Sequence, residues 1–119
     1  METLTTKFGI THIDIILANA AMAEFYGPAL STPLEGFVDH LKINTVAALG
    51  LFIAAWPLLK FSSKPIFVPV SSGVGSIGDM ENWPMSATAY GASKAALNWV
   101  TKNLHIEHKN LIVFPIHPG

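Results

Sequence analysis

"KPIFVPVSS", Lys64 to Ser72, decides how this chain is built. Ile66, Phe67, Val68 and Val70 form a short β-branched and aromatic run, closed by two small polar residues, Ser71 and Ser72. A run of this length, apolar at successive positions, suits a buried strand of a parallel sheet. What flanks it fixes the rest. Upstream lies "TPLEGFVDHLKINTVAALGLFIAAWPLLK", Thr32 to Lys60, with apolar residues at helical spacing. Thr32 as N-cap, Pro33 at the first helical position and Glu35 at the third form a capping-box start. Phe37, Leu41, Val46, Leu49, Phe52 and Ile53 are the expected packing positions, and Pro57 should kink the last turn.

Further upstream, "HIDIILANA", His12 to Ala20, reads as another buried strand ending near Ala18. Downstream, a polar loop from Gly73 to Ala87 leads into "SATAYGASKAALNWV", Ser86 to Val100. That helix should show an apolar face at Ala92, Ala95, Ala96, Trp99 and Val100, and fade near His105. "NLIVFPIHPG", Asn110 to Gly119, supplies a third strand and the start of a loop.

Strand, long helix, strand, helix, strand is a parallel α/β pattern. Right-handed crossovers put both long helices on one face of a three-stranded sheet, a partial Rossmann fold. The other face and the outer edge of the first strand are then uncovered, as if this were part of something larger.

Composition bounds the function. Of 119 residues half are apolar and 13% charged, which is a core-rich globular composition. All seven basic residues are lysines and the net charge is −1, which argues against a nucleic-acid partner. With no cysteine there are neither disulfides nor thiolate metal sites, as suits a reducing, cytoplasmic setting. The N-terminus has no signal-peptide pattern. The most apolar run, Val46 to Leu59, is too short to span a bilayer and contains Pro57, so no membrane partner is expected.

In a parallel α/β sheet, ligands bind beyond the carboxyl ends of the strands. Three polar groups fall there: Asn19 with Ala20, Ser71 with Ser72, and His117-Pro118-Gly119. Tyr90 and Lys94 begin the last helix near the same rim, spaced i, i+4 on one face. An ammonium beside a phenol favours the phenolate. Such a phenol can pass a proton to a carbonyl oxygen, and a nearby serine hydroxyl can hold that oxygen. The reducing equivalent must come from a cofactor. "GVGSIG", Gly73 to Gly78, fits a dinucleotide-binding spacing, but Asp79, Asn82 and Pro84 keep the chain in loop, and no acidic residue follows at the required distance. His105 and His108 have no third ligand, so no metal site is expected.

Together these motifs resemble the short-chain dehydrogenase/reductase family. "ILANAA" resembles its Asn-Asn-Ala-Gly strand end, "LKINTVAALGLF" its asparagine-bearing helix and "VPVSSGVGS" its serine strand. "YGASKAAL" matches its Tyr-x-x-x-Lys signature, and "HPG" its later Pro-Gly. The wording is most similar to fungal carbonyl reductases of the norsolorinic-acid ketoreductase type, which act on aromatic polyketide ketones. The resemblance implies a catalytic tetrad of Asn44, Ser72, Tyr90 and Lys94. Tyr90 is the implied acid/base, Ser72 positions the carbonyl, Lys94 holds the nicotinamide ribose and assists Tyr90, and Asn44 holds a relay water. Ser71 is the alternative serine. Asn19, Ala20, Tyr90, Lys94, Pro118 and Gly119 are the implied contacts for NADP (or NAD), with a small carbonyl or alcohol as substrate.

In two respects the sequence departs from the family. Ala21 stands where the family has glycine, and the loop from Ser72 to Tyr90 is longer than usual. The family also begins with a strand and a glycine-rich turn for the pyrophosphate, which these residues do not include. The expectation is therefore the central part, 1–119, of a single Rossmann domain, forming homo-oligomers through its two long helices. The competing expectation is a fragment without activity of its own, acting as an interaction or dimerisation module.

Overall fold

A computed structural model describes all 119 residues. Its order is α1 (Glu2–Phe8), β1 (Ile15–Ala18), α2 (Leu34–Leu41), α3 (Ala47–Leu59), β2 (Ile66–Pro69), α4 (Thr88–Glu107) and β3 (Ile112–Val113). The three strands form one parallel sheet in the order β1-β2-β3, with Ile15 opposite Ile66 and Ile66 opposite Ile112. The expected partial Rossmann architecture is present. The third strand is shorter than its sequence suggests because Pro115 lacks an N–H, and pairing resumes only at Ile116 opposite Val70. The first helix had no counterpart in the sequence reading. It buries no residue and stops at Gly9, whose φ of 66° lets the chain turn away.

One face of the sheet carries the core. Ile16, Ala18, Phe67 and Val113 pack against Phe52, Ala55 and Leu59 of α3 and Leu104 of α4. Phe52 meets Phe67 edge-on at 5.2 Å. The period-2 alternation of β1 then points Ile15 and Leu17 to the opposite side, where they are 62% and 55% exposed. This predicts an asymmetric response along the strand. Ile16→Val should cost about 1 kcal/mol of stability, while Leu17→Val should change it by less than about 0.5 kcal/mol, both read from urea melts.

Helices α2 and α3 are joined through a π turn, Lys42–Val46, into one rod from Leu34 to Leu59. The wider turn shifts the helical phase and corrects the expected packing stripe. Buried positions run Gly36, His40, Asn44, Thr45, Phe52, Ala55, Leu58 and Leu59, while Val46 and Ile53 are exposed. The capping box is also absent. Thr32 Oγ1 donates to the Pro28 carbonyl at 3.0 Å, and Pro33 becomes the cap residue of a helix starting at Leu34. A short 3-10 turn, Ala29–Ser31, has captured the threonine. The 26-residue rod is long and apolar enough to cross a membrane by length and composition, unlike the shorter run read from the sequence. Its polar residues His40, Asn44 and Thr45 are nonetheless bonded to other parts of this domain.

The face of α4 is corrected too. It buries Ala89, Ser93, Lys94, Leu97, Thr101 and Leu104, and Trp99 is 70% exposed. The buried side thus mixes small and polar residues with leucines, which an apolar-only reading passes over.

Candidate active site

Because the strands are parallel, their carboxyl ends share one edge, and the first turns of α4 lie against it. Asn19 and Ala20 follow β1, Ser71 and Ser72 follow β2, and Pro118 and Gly119 follow β3. Asn19, Ala20, Pro118 and Gly119 are solvent-exposed along this rim.

Lys94 is 1% exposed, and its Nζ donates to the Val70 carbonyl at the end of β2, 2.8 Å away. Nζ also lies 5.7 Å from the centroid of the Tyr90 ring. An ammonium has three N–H donors, and only one of these meets a protein acceptor. Burial lowers the lysine pKa from its ordinary 10.5, since the interior disfavours the charged form. The unfolded chain therefore binds more protons than the folded one between the lowered value and 10.5, so Lys94 contributes stability that grows as pH rises through that window. The stability difference between the wild type and Lys94→Met should shift in favour of the wild type as pH is raised from about 7 toward 10, in urea melts at a series of pH values. A difference that stays flat or moves the other way would exclude a lowered lysine pKa.

The two serines have separate surroundings. Ser71 is buried, and its Oγ donates to Asn98 Oδ1 at 2.6 Å, which braces β2 against α4. Ser72 is half-buried, and its Oγ accepts from the Val74 N–H at 3.2 Å, leaving its own proton unused within the chain. Neither Ser72 nor Lys94 hydrogen-bonds the Tyr90 hydroxyl.

Asn44, 1% exposed, sits in the π turn, which presents it beside Thr45 toward the interior. Its Oδ1 accepts from the Met22 N–H at 2.7 Å, and its Nδ2 donates to the Met22 carbonyl at 2.8 Å and to Ser93 Oγ at 2.9 Å. Ser93 Oγ in turn donates to the Tyr90 carbonyl at 2.7 Å, and Thr45 Oγ1 donates to the Ser93 carbonyl at 2.8 Å. Asn44 therefore reaches Tyr90 through Ser93 and backbone, and makes no side-chain bond to Tyr90 or Lys94. Sequence reasoning missed Ser93, Thr45 and Asn98. The available signal was Ser93 inside the Tyr-x-x-x-Lys span, three residues after Tyr90.

Two glycines of "GVGSIG", Gly73 and Gly75, serve close packing, while Gly78 faces open space. A Cβ on Gly75 would lie 2.8 Å from the Lys94 backbone, and one on Gly73 would meet the Trp83 ring. Trp83 also stands edge-on to His117 at 5.9 Å. The 3-10 segment Ile77–Asn82 and the residues after it, together with α4, border a half-open cavity of about 790 Å³. Val74, Ile77, Met80, Trp83 and Met85 line it with Ala92 and Ala95. These helix positions face away from Tyr90 and Lys94, so the cavity lies beside the rim groups rather than among them. His108 packs its ring on Trp56 at 4.4 Å, and no three His, Asp or Glu side chains converge.

A family profile described as enoyl-(acyl carrier protein) reductase matches residues 1–119. The chain belongs to the short-chain dehydrogenase/reductase family, and within it resembles the norsolorinic-acid ketoreductases. It is 39% identical over 120 residues to norsolorinic acid ketoreductase stcE of Emericella nidulans, covering 100% of this chain and 46% of that protein. It is 38% identical over 121 residues to the norsolorinic acid ketoreductase of Aspergillus parasiticus, covering 100% of this chain and 45% of that one. Among solved structures, the NADPH-bound carbonyl reductase from chicken fatty liver superposes with a TM-score of 0.90 at 25% identity, over 99% of this chain and 50% of that one. Carbonyl reductase Sniffer of D. melanogaster gives 0.88 at 26% identity, over 99% and 52%. The chain spans about half the length of the relatives it matches.

Proposed function

We propose that these residues form the catalytic half of an NAD(P)-dependent carbonyl reductase that converts a ketone to an alcohol. The observation that carries this is Lys94: a buried ammonium with one protein acceptor, one helical turn after Tyr90 and fastened to Val70, two residues before Ser72, whose hydroxyl proton is unused within the chain. In this reading Tyr90 donates its phenolic proton to the carbonyl oxygen as that oxygen becomes an alkoxide. Ser72 donates a hydrogen bond to the same oxygen and orients it. Lys94, anchored to Val70, supplies the positive charge behind the phenol and offers its remaining N–H groups to a ribose. Asn44 takes its part in proton transfer as a brace, holding the Met22 segment and the first turn of α4 in place.

A nicotinamide dinucleotide fits what is present on the nicotinamide side, since Lys94 keeps spare donors at a rim where Asn19, Ala20, Pro118 and Gly119 are open to a ligand. Bound there, the reduced nicotinamide supplies the two-electron reductant that no side chain provides. We favour NADP over NAD because the chicken carbonyl reductase is described as NADPH-bound. Similarity to norsolorinic acid ketoreductases supports an aromatic polyketide ketone as substrate, and a place in cytoplasmic secondary metabolism is part of the same proposal.

The uncovered sheet face, with Ile15 and Leu17 exposed, supports a second reading. In it the chain is part of one Rossmann domain, active only when completed, and otherwise an interaction or dimerisation module. Titration with NADPH and NADH alongside light scattering separates the two. Saturable binding by a monodisperse species, with oxidation of the cofactor by an aryl ketone, supports the reductase. Absent binding with heavy scattering supports the module.

A further inference from the structure

We propose that Tyr26 is a specificity residue, a second aromatic wall beside Tyr90 that takes planar aromatic ketones, and that His40 is the residue that positions it. This rests on the reading of Tyr90 as the group that meets the carbonyl. The Tyr26 ring lies 6.0 Å from the Tyr90 ring at 53°, and Tyr26 is 54% exposed. A large aromatic side chain held beside the acid/base group and open to solvent offers its face to an incoming ring.

The segment that presents Tyr26 is fastened at successive residues. Asn44 bonds both backbone groups of Met22. The Glu24 N–H donates to His40 Nε2 at 3.1 Å, and His40 Nδ1 donates to the Gly36 carbonyl at 2.6 Å. His40 is 0% exposed, so this tautomer is fixed by one donor and one acceptor with no access to water. Phe25 adopts a left-handed φ of 54°, a strained conformation for a bulky residue that persists only where surroundings enforce it. Its ring lies over Gly36, where any Cβ would clash with it at 2.6 Å. Past Tyr26, the Gly27 carbonyl accepts from the backbone N–H and the hydroxyl of Thr88 at the start of α4. The local strain and buried bonds have one shared effect: they hold the Tyr26 ring against Tyr90.

The test is equilibrium binding of acetonaphthone and its saturated counterpart acetyldecalin to the full chain, by calorimetry and saturation-transfer NMR. The wild type and Tyr26→Phe should prefer the aromatic ketone, and Tyr26→Ala should lose about 3- to 10-fold in affinity for it while binding acetyldecalin unchanged. His40→Phe, which keeps the ring but loses the acceptor for Glu24, should reproduce the Tyr26→Ala loss and speed amide exchange at Glu24. His40→Gln, which has both an acceptor and a donor, should restore preference and protection. If His40→Phe does not fold, the two Tyr26 variants decide. An aromatic preference that survives Tyr26→Ala, or no binding by the wild type, overturns the proposal. Binding that depends on Tyr26 without any NADPH oxidation leaves the proposal standing and counts against the reductase reading alone.

Discussion

Tyr90→Phe is expected to lower ketone-dependent NADPH oxidation by about a thousandfold while leaving the melting temperature within a degree or two of wild type. The reasoning follows from what the phenol does and does not touch. Its ring packs against Tyr26, and phenylalanine preserves that contact. Its hydroxyl makes no hydrogen bond within the chain, so removing it orphans no buried partner. The ammonium of Lys94 stays fastened to Val70 whether or not the hydroxyl is present. The only loss is the proton donor. Absorbance of NADPH reports the rate, and far-UV circular dichroism reports the fold. A variant that retains a tenth or more of the activity would remove Tyr90 from the acid/base role.

Asn44→Ala is expected to cost about 3–5 kcal/mol of folding stability, the largest effect of any single truncation outside the apolar core. Three groups lose a partner: the N–H and carbonyl of Met22, and Ser93 Oγ. Each lies in or beside a site that is 1% exposed at Asn44, so water does not readily replace the amide. Thr45→Val, which removes one bond to the Ser93 carbonyl, should cost only about 1–2 kcal/mol. Urea melts of the two variants measure the difference, and equal effects would show that Asn44 is not the hub of this network. Amide exchange should also rise at Met22 and Glu24 in Asn44→Ala before the core helices lose protection.

Much of this is legible in the sequence. The β-branched runs at Ile15 and Ile66, each ending in small polar residues, marked strands and their ligand-facing ends. The spacing of Tyr90 and Lys94 placed both on one helical face at that edge. Other features depend on chain segments far apart in sequence. Nothing near Asn44 announces that its partner is the Met22 backbone, twenty-two positions earlier. Nothing near Tyr26 announces a histidine fourteen positions later. The stripe of Val46 and Ile53 failed for a different reason. A regular period of 3.6 does not hold across Lys42–Val46, where a π turn with i→i+5 bonding takes up an extra residue. Thr32 does not cap the helix because its hydroxyl turns back to donate to the Pro28 carbonyl, and the helix starts one position later, with Pro33 as the cap residue.

The π turn also makes the rod uneven in its tolerance of changes in length. Each residue of an α-helix advances the side chains by about 100°. Deleting any one of Lys42 to Val46 would let the backbone relax into an uninterrupted α-helix, a locally more comfortable state. Phe52, Ala55 and Leu59 would then keep their angular place on the sheet while His40 stayed engaged with Glu24, whereas a deletion elsewhere in the rod would turn them by about 100°. The surplus residue is thus the chain's timing mark. It gives one helix an extra residue, with Asn44 and Thr45 both turned inward, while the rim at one end and the hydrophobic floor at the other keep a single angular phase.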